Sequence, residues 1–254
     1  MFTDFHTHLD FYTDQAKLFK QIEVFNGTIV ASSVSLNSYK KNCQISQAAQ
    51  KFFPRVKIIP TLGIHPQNAA QEEEKLASYT HTLQTSPIIG EIGMDFCWYK
   101  QASPQTQEKV FRFFLEHCNQ EKKYCVIHTK GAEEKICRIL EEYPQAKPII
   151  HWYDGPEEIY REFTARKYLQ TFGCQTGRSL FIQKLLRQTP AQLILAETDN
   201  PDSEPWLGGK DNSLFLIKRI YEDIAKALNI SVEKATDTIN CNSMKVLNNA
   251  FYKN

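Results

Sequence analysis

The sequence has almost no net charge and no long apolar run, and both deficits limit what the protein can do. Its 30 lysine and arginine residues balance 29 aspartate and glutamate residues, which leaves a formal charge of +1 at pH 7. Since no global field attracts nucleic acid or a membrane surface, an anionic substrate must be held by local groups. No stretch of 18 apolar residues occurs and no basic region precedes an apolar run at the N-terminus. We therefore expect neither a membrane span nor an export signal.

Paired cysteines and linker-like segments are also missing. The seven cysteines are odd in number and include no C-x-x-C pair. This pattern does not suit a disulfide framework or a structural zinc site, and it indicates reduced thiols and a cytoplasmic protein. No Gly/Ser linker, low-complexity tract or tandem repeat interrupts the chain. We therefore predict a single domain over residues 1–254.

What the sequence does contain is a regular alternation of short apolar runs with amphipathic, charge-rich segments. This alternation predicts strands and helices in turn. The eight predicted strands cover residues 3–5, 28–34, 58–64, 88–92, 124–128, 148–152, 168–172 and 193–197. The predicted helices cover residues 15–25, 38–53, 71–84, 105–122, 133–142, 156–166, 179–187, 212–228 and 231–247. Eight βα units in one chain favour an α/β fold of the closed TIM (β/α)8 barrel type over an open sheet.

The first predicted strand ends in a His-x-His pair. Residues two apart on a strand share a face, so the imidazoles of His6 and His8 point the same way and can reach one metal ion. Taken alone, such a pair is more often two solvated histidines at the end of a strand. The positions of the other histidines change this interpretation.

In a barrel of this type the chemistry lies at the carboxyl ends of the strands. Four of the seven histidines and two acidic residues fall at those ends, namely His6, His8, Glu91, His128, His151 and Asp199. Each has an ordinary explanation by itself, such as a loop carboxylate, a hydrogen-bonded histidine or a turn aspartate. Clustered together without partners, however, these groups would be costly to desolvate. A metal centre supplies partners for all of them.

The number of donors indicates how many ions they hold. Four histidines and two carboxylates exceed the three protein ligands of a catalytic zinc, but they suit two divalent ions about 3.5 to 4 Å apart. We assign His6, His8 and Asp199 to one ion, His128 and His151 to the other, and Glu91 to both as a bridge. Donors of this kind accept Mg²⁺, Mn²⁺, Zn²⁺ or Co²⁺.

Six motifs in order resemble the TatD family of metal-dependent deoxyribonucleases. They are DFHTHLD at 4–10, GIHP at 63–66, IGEIGMD at 89–95, VIHTK at 126–130, HWYDG at 151–155 and ETDNP at 197–201. The likeness extends from residue 2 to about residue 247. It implies a TIM barrel of the metal-dependent hydrolase type and a phosphodiester substrate. Carried over position by position, it places the family's metal ligands on the same six residues.

Three positions depart from the family's pattern. Lys130 stands where many members have arginine, so a point charge replaces a bidentate phosphate contact. Asp211 also stands where an arginine is frequent, and Asn200 replaces a small residue beside the last ligand. These changes leave the metal ligands intact and put the substrate in doubt.

The predicted reaction is hydrolysis by a hydroxide that bridges the two ions and attacks phosphorus in line with the leaving 3′ oxygen. Asp199 acts as a ligand and proton acceptor, with Glu91 as the second catalytic carboxylate. His65, a non-ligand, hydrogen-bonds the phosphate or protonates the leaving group; the alternative is a histidine satisfied within the protein. Lys130 pairs with a phosphate or, alternatively, with Glu197.

Aromatic residues beside the predicted ligands are candidates for stacking on an unpaired base, which contributes about 1 to 3 kcal/mol per base. The candidates are Phe96, Trp98, Tyr99, Trp152 and Tyr153, of which Trp152 is assigned to substrate binding. Few basic residues surround the site, which suits the end of a single strand better than a duplex. We therefore predict a 3′ to 5′ exodeoxyribonuclease on single-stranded DNA, with RNA as a further substrate.

Two other functions remain open. The first is an amidohydrolase or ester hydrolase, such as a tRNA deacylase, that uses the same metal site. Glu91 argues against it, because many amidohydrolases have a lysine on the fourth strand. The second is a catalytically silent binding or scaffold barrel, which the six intact ligands disfavour. The oligomeric state leaves no trace in the sequence.

Overall fold

A computed structural model describes residues 1–251 and contains eight strands that alternate with helices. The strands are β1 (Phe2–Thr7), β2 (Gly27–Ala31), β3 (Val56–Pro60), β4 (Ile88–Asp95), β5 (Tyr124–Lys130), β6 (Lys147–Ile150), β7 (Leu169–Phe172) and β8 (Ile194–Ala196). Every predicted strand is present, with ends displaced by a few residues. The predicted α/β class with eight βα units is therefore confirmed, whereas the single domain over 1–254 stays a prediction whose last three residues lie outside the described ones.

Eleven α-helices occur within residues 1–251. They are α1 (Gln15–Val24), α2 (Leu36–Phe52), α3 (Ala69–Glu72), α4 (Thr80–Thr85), α5 (Pro104–Glu121), α6 (Glu133–Glu141), α7 (Glu157–Ala165), α8 (Leu180–Gln188), α9 (Ser203–Trp206), α10 (Leu216–Leu228) and α11 (Val232–Phe251). In this part of the chain, none of them has the length and apolarity needed to cross a bilayer. No disulfide bond joins the cysteines of the described residues.

Local sequence signals explain where several helices begin. The Ser103 hydroxyl accepts a hydrogen bond from the Thr106 N–H, and Pro104 occupies the first turn of α5. Both features stabilise a helix start, because the first N–H groups lack partners within the helix. The Asp14 carboxylate caps α1 in the same way, by accepting from the Lys17 N–H.

Two helices differ from their predicted form. The predicted helix over 71–84 is divided by a 3₁₀ segment at Glu73–Tyr79, where the buried Tyr79 hydroxyl binds both the Leu36 N–H and the Glu72 carboxylate. The predicted helix over 212–228 begins only at Leu216, because the Leu216 N–H donates to the Ser213 carbonyl and the Asn212 carbonyl accepts instead from the Tyr12 hydroxyl at 2.8 Å. Both differences arise from contacts between residues distant in sequence.

The described residues form two compact units. Unit 1 contains Met1–Ala31, Lys41–Pro60 and Gln170–Leu247, and unit 2 contains Ser32–Lys40, Thr61–Leu169 and the described chain from Asn248 onward. In unit 1, β1, β2 and β3 form a parallel sheet, in which Thr3 pairs with Thr28 and Thr28 with Lys57. The strands β7 and β8 pair in parallel as well. The buried side chains of the strands in unit 1, including Phe5, Ile29, Val30 and Leu195, form the core of this unit.

Unit 2 contains a parallel array of β4, β5 and β6. All eight residues of β4 are buried, as expected for a parallel strand covered on both faces. Gly93 pairs with His128 in the register of β4 and β5. A Cβ at Gly93 would lie 2.1 Å from the His128 carbonyl oxygen, and its φ of +149° also favours glycine. Glycine therefore permits the close approach of the strands at His128.

Candidate functional site

In unit 1, three predicted metal ligands converge at the end of β1. The His6 Nε2 and His8 Nε2 atoms are 3.2 Å apart. The Asp199 Oδ1 atom lies 3.4 Å from His6 Nε2 and 3.3 Å from His8 Nε2. The imidazoles of His6, on β1, and His8, directly after it, thus lie on the same side and contact one carboxylate oxygen.

Backbone hydrogen bonds hold the segment after β8 against the end of β1. The Asp199 N–H donates to the His6 carbonyl at 2.8 Å, and the His8 N–H donates to the Asn200 carbonyl at 2.8 Å. Asp199 has a left-handed φ of 52°, a conformation that Asp and Asn tolerate better than most residues. These main-chain contacts therefore hold the backbone of residues 199 and 200 against that of His6 and His8.

A buried carboxylate reinforces this arrangement. Asp4 Oδ1 accepts from the Thr198 N–H at 2.9 Å, and Asp4 Oδ2 accepts from the Thr198 hydroxyl at 2.6 Å. The His6 N–H also donates to Asp4 Oδ1 at 3.3 Å. Burial raises the pKa of Asp4 to about 7, although the bonds from Thr198 and His6 act in the opposite direction. Asp4 was not assigned a role from the sequence, and it joins β1 to the Asp199 segment.

In unit 2, one carboxylate oxygen faces three imidazoles. Glu91 Oε1 lies 3.0 Å from His128 Nδ1, 3.0 Å from His151 Nε2 and 3.4 Å from His65 Nε2. Glu91 is on β4, His128 is on β5, and His151 directly follows β6. The three strands therefore bring the predicted ligands of this unit together at their carboxyl ends.

The second nitrogen of His128 also faces a carboxylate, since Nε2 lies 2.9 Å from Asp95 Oδ2. Burial lowers the pKa of His128, but the bonds to Asp95 and Glu91 outweigh it and raise that pKa above its usual value. For Asp95, burial is outweighed by the bonds from His128 and from the Trp98 N–H, which lower its pKa.

This donor set fits a divalent cation. Carboxylates on both sides of a buried imidazole give more acceptors than donors, and a cation beside Glu91 and His128 restores the balance. In unit 1, the His6, His8 and Asp199 donor atoms likewise lie close enough together to share one ion. Imidazole and carboxylate are the ligands that Zn²⁺ and Mn²⁺ accept.

His65 lies closer to the predicted ligands than the sequence suggested. One donor atom each of His65, Glu91 and His128 lies within 4.8 Å of the others, close enough to bind an ion. However, the Gln67 N–H donates to His65 Nδ1 at 3.2 Å. A neutral His65 therefore carries its proton on Nε2, the atom that faces Glu91 and His128. This favours a hydrogen-bond donor over a ligand.

The sequence predicted only part of the surroundings of Lys130. Its ammonium group lies 2.6 Å from both carboxylate oxygens of Asp154 and 4.6 Å from the ring centroid of Trp98. The structure thus pairs Lys130 with Asp154, and the pairing with Glu197 named from the sequence stays a prediction. Asp154 lies beside Lys130 because it follows β6, the neighbour of β5 in the parallel array. Trp152 is partly exposed, with a φ of 45°, and its role in substrate binding stays a prediction.

Sequence reasoning also missed Asp95, which touches a predicted ligand. A signal for it was present, because Glu91 and Asp95 are four residues apart on β4 and strand residues separated by an even number share a face. Glu91 therefore identified the face on which Asp95 would lie.

Imidazole and carboxylate clusters at the carboxyl ends of parallel strands, in a chain of eight βα units, are the features of a metal-dependent hydrolase. A family model described as TatD related DNase matches residues 3–248. The chain belongs to this family, which confirms the resemblance and the enzyme class deduced from the sequence.

Individual proteins with similar sequences support this family assignment. An uncharacterized metal-dependent hydrolase of Methanocaldococcus jannaschii is 26% identical over 251 residues, which cover 96% of each chain. The deoxyribonuclease TATDN3 of Homo sapiens is 25% identical, with 96% of this chain and 93% of the relative aligned. A 3′-5′ ssDNA/RNA exonuclease TatD of Citrobacter koseri is 30% identical over 169 residues, 63% of this chain and 65% of its own.

A solved structure shows the same fold. The TatD family hydrolase of Entamoeba histolytica superposes with a TM-score of 0.79, at 19% sequence identity, over 96% of this chain and 97% of its own. This similarity confirms the predicted fold class. The metal-binding and catalytic roles of the individual residues remain predictions.

Proposed function

We propose that this protein is a 3′ to 5′ exonuclease that uses divalent metal ions to hydrolyse single-stranded DNA, with RNA as a second substrate. The observation that supports this most strongly is the convergence of His6, His8 and Asp199 within 3.4 Å of one another. The names of the human and Citrobacter koseri relatives support a nuclease and a 3′ to 5′ direction for the same family.

Two groups of side chains are suited to hold the ions. His6, His8 and Asp199 form one group, and Glu91, His128 and His151 form the other. When bound, divalent ions make an attacking water more acidic and stabilise the charge that develops on the phosphoryl oxygens. The bridging role of Glu91 stays a prediction.

The protein's own groups then orient the reactants and transfer protons. The Asp199 side chain is 23% exposed, so its carboxylate remains accessible to accept a proton from the attacking water. The backbone bond between Asp199 and His6 keeps this carboxylate in place. His65 Nε2 carries the proton that hydrogen-bonds a phosphate oxygen or protonates the leaving 3′ oxygen.

Substrate recognition depends on a few groups at the strand ends. Lys130 supplies one positive charge, and Trp98, which is 44% exposed, supplies an aromatic ring beside it. Since the formal charge of the chain is only +1, an extended duplex would find little attraction along the surface. A single-stranded end, with one phosphate at Lys130 and one base on an aromatic ring, matches these groups better.

The test uses metal-stripped protein and single-stranded DNA that is labelled at its 5′ end. With Mn²⁺ or Mg²⁺ restored, we expect a ladder of labelled products that shorten one nucleotide at a time from the 3′ end. A phosphorothioate linkage at the 3′ end should block the ladder, whereas the same linkage at the 5′ end should not.

Other substrates tested in parallel distinguish the competing functions. RNA, duplex DNA, aminoacyl-tRNA and a panel of amides and carboxyl esters are incubated under the same conditions. Hydrolysis of amides or carboxyl esters without cleavage of nucleic acid would support the amidohydrolase or ester hydrolase function instead. Metal binding without turnover of any substrate would support the scaffold function.

A further inference from the structure

The carboxylate of Asp95 contacts two different parts of unit 2 with its two oxygens. Oδ2 lies 2.9 Å from Nε2 of His128. Oδ1 accepts hydrogen bonds from the N–H groups of Cys97 and Trp98 at 2.8 and 2.7 Å. The Asp95 side chain is itself fully buried, so its orientation is fixed by these partners.

The loop after Asp95 presents an aromatic ring. Trp98 is 44% exposed, and its ring contacts the ammonium group of Lys130. The Phe96 N–H donates to the Lys130 carbonyl at 2.8 Å, which holds the loop beside the end of β5. The Asp95 carboxylate therefore lies between a predicted metal ligand and the aromatic face proposed to contact substrate.

The contact with His128 determines which ring nitrogen carries the proton. An ionised carboxylate only accepts hydrogen bonds, so a neutral His128 facing Asp95 must be protonated at Nε2. Its Nδ1 lone pair is then directed at the position beside Glu91 Oε1, 3.0 Å away. This is the tautomer that a metal ion at Nδ1 requires.

We propose that Asp95 is a positioning residue that fixes the metal-binding tautomer of His128 and holds the Trp98 loop at the same time. Because one carboxylate serves both contacts, metal binding at His128 and the environment of Trp98 are linked. This inference rests on the proposed function, in which His128 is a metal ligand and Trp98 contacts the substrate.

Asp95→Asn separates the two contacts. The remaining Oδ1 still accepts from the N–H groups of Cys97 and Trp98, but an amide nitrogen replaces the oxygen that faces His128. Since the amide donates, His128 Nε2 must accept, and its proton moves to Nδ1. We expect Zn²⁺ affinity, measured by competition with a chelator, to fall by about 10- to 100-fold. Glu116→Gln removes the same charge from an exposed position on α5 in unit 2, and it should keep the wild-type affinity.

A spectroscopic measurement reports the tautomer directly. In ¹⁵N-labelled, Zn²⁺-loaded protein, the long-range imidazole spectrum of His128 should show a proton on Nε2. Its signals are assigned by their loss in His128→Gln. In Asp95→Asn this pattern should change or disappear, while the spectra of the remaining histidines stay as they are. A wild-type tautomer together with wild-type Zn²⁺ affinity in Asp95→Asn would overturn the proposal.

A second reporter tests the link to the loop and leaves Asp95 intact. With Trp152 and Trp206 replaced by phenylalanine, Trp98 is the only tryptophan. Its fluorescence should change during a Zn²⁺ titration with the same midpoint as metal binding, and the change should be lost in the added Asp95→Asn variant at saturating Zn²⁺. If the Trp98 fluorescence of the protein with Asp95 intact does not change during the Zn²⁺ titration, the link is overturned. This outcome does not depend on whether the Asp95→Asn variant folds. Neither readout requires nuclease activity, so failure of this inference is distinguishable from failure of the proposed function.

Discussion

Asp199 and His6 are joined at both backbone and side chain. The Asp199 N–H donates to the His6 carbonyl at 2.8 Å, and Asp199 Oδ1 lies 3.4 Å from His6 Nε2. The backbone contact does not depend on the Asp199 side chain. A substitution at residue 199 can therefore remove the carboxylate while the strand ends remain in place.

We expect Asp199→Asn to lose activity on the order of 10³-fold in kcat/KM, because it removes the predicted proton acceptor and a metal ligand. Asparagine also tolerates the left-handed backbone at this position, so the melting temperature should stay near that of the wild type. Single-nucleotide release from labelled DNA measures the change. Asp202→Asn, at an exposed position in the same loop, is the control and should keep its activity. An active Asp199→Asn would contradict the assignment.

Asp4→Ala should destabilise the metal-free protein by about 2 to 4 kcal/mol, because it leaves the buried Thr198 N–H and hydroxyl without their acceptor. Urea unfolding followed by circular dichroism gives the free energy. Asp14→Ala is the comparison, since it removes an exposed helix cap that contributes about 1 kcal/mol. If the two variants lose the same stability, Asp4 does not anchor the Asp199 segment.

Lys130→Ala should raise KM for single-stranded DNA by about tenfold and leave kcat within about threefold, because a charge that binds ground state and transition state alike affects KM alone. Asp154→Asn should lower KM, since it releases Lys130 from its ion pair. Lys147→Ala, at the amino end of β6, serves as the control. A fall in kcat without a change in KM would assign Lys130 to the chemical step instead.

Thiol reactivity should follow burial in the folded protein. Cys97 and Cys241 are exposed, whereas Cys137 and Cys174 are buried. Burial raises the pKa of Cys137 to about 12 and that of Cys174 to about 11, so few thiolates are available there at pH 8. With 5,5′-dithiobis(2-nitrobenzoate), the two exposed thiols should react quickly, the half-buried Cys43 more slowly, and the buried ones only after unfolding. Fast reaction in a Cys97→Ser/Cys241→Ser protein would contradict this assignment.

The elements that were predicted well are those with a clear local pattern. The eight strands appeared as apolar runs, and the two-residue period of β1 placed His6 and His8 on one side. The same period places Glu91 and Asp95 on one face of β4, although only Glu91 was chosen. Residues that alternate along a strand or end an apolar run can therefore be assigned from sequence.

Contacts between distant residues could not be predicted in the same way. The pairing of Lys130 with Asp154 depends on which strands are neighbours, and the late start of α10 depends on the Tyr12 hydroxyl, which donates to the Asn212 carbonyl. Asp4 appeared in the first motif, but its role depends on Thr198, 194 residues away. The cellular location, the oligomeric state and the identity of the metal depend on partners and conditions outside the chain.

The most direct test of the account is anomalous diffraction from crystals grown with Mn²⁺. We expect one manganese peak within coordination distance of His6, His8 and Asp199, and a second beside Glu91, His128 and His151. Peaks at neither group, with manganese bound elsewhere or not at all, would contradict the metal-dependent mechanism proposed for this protein.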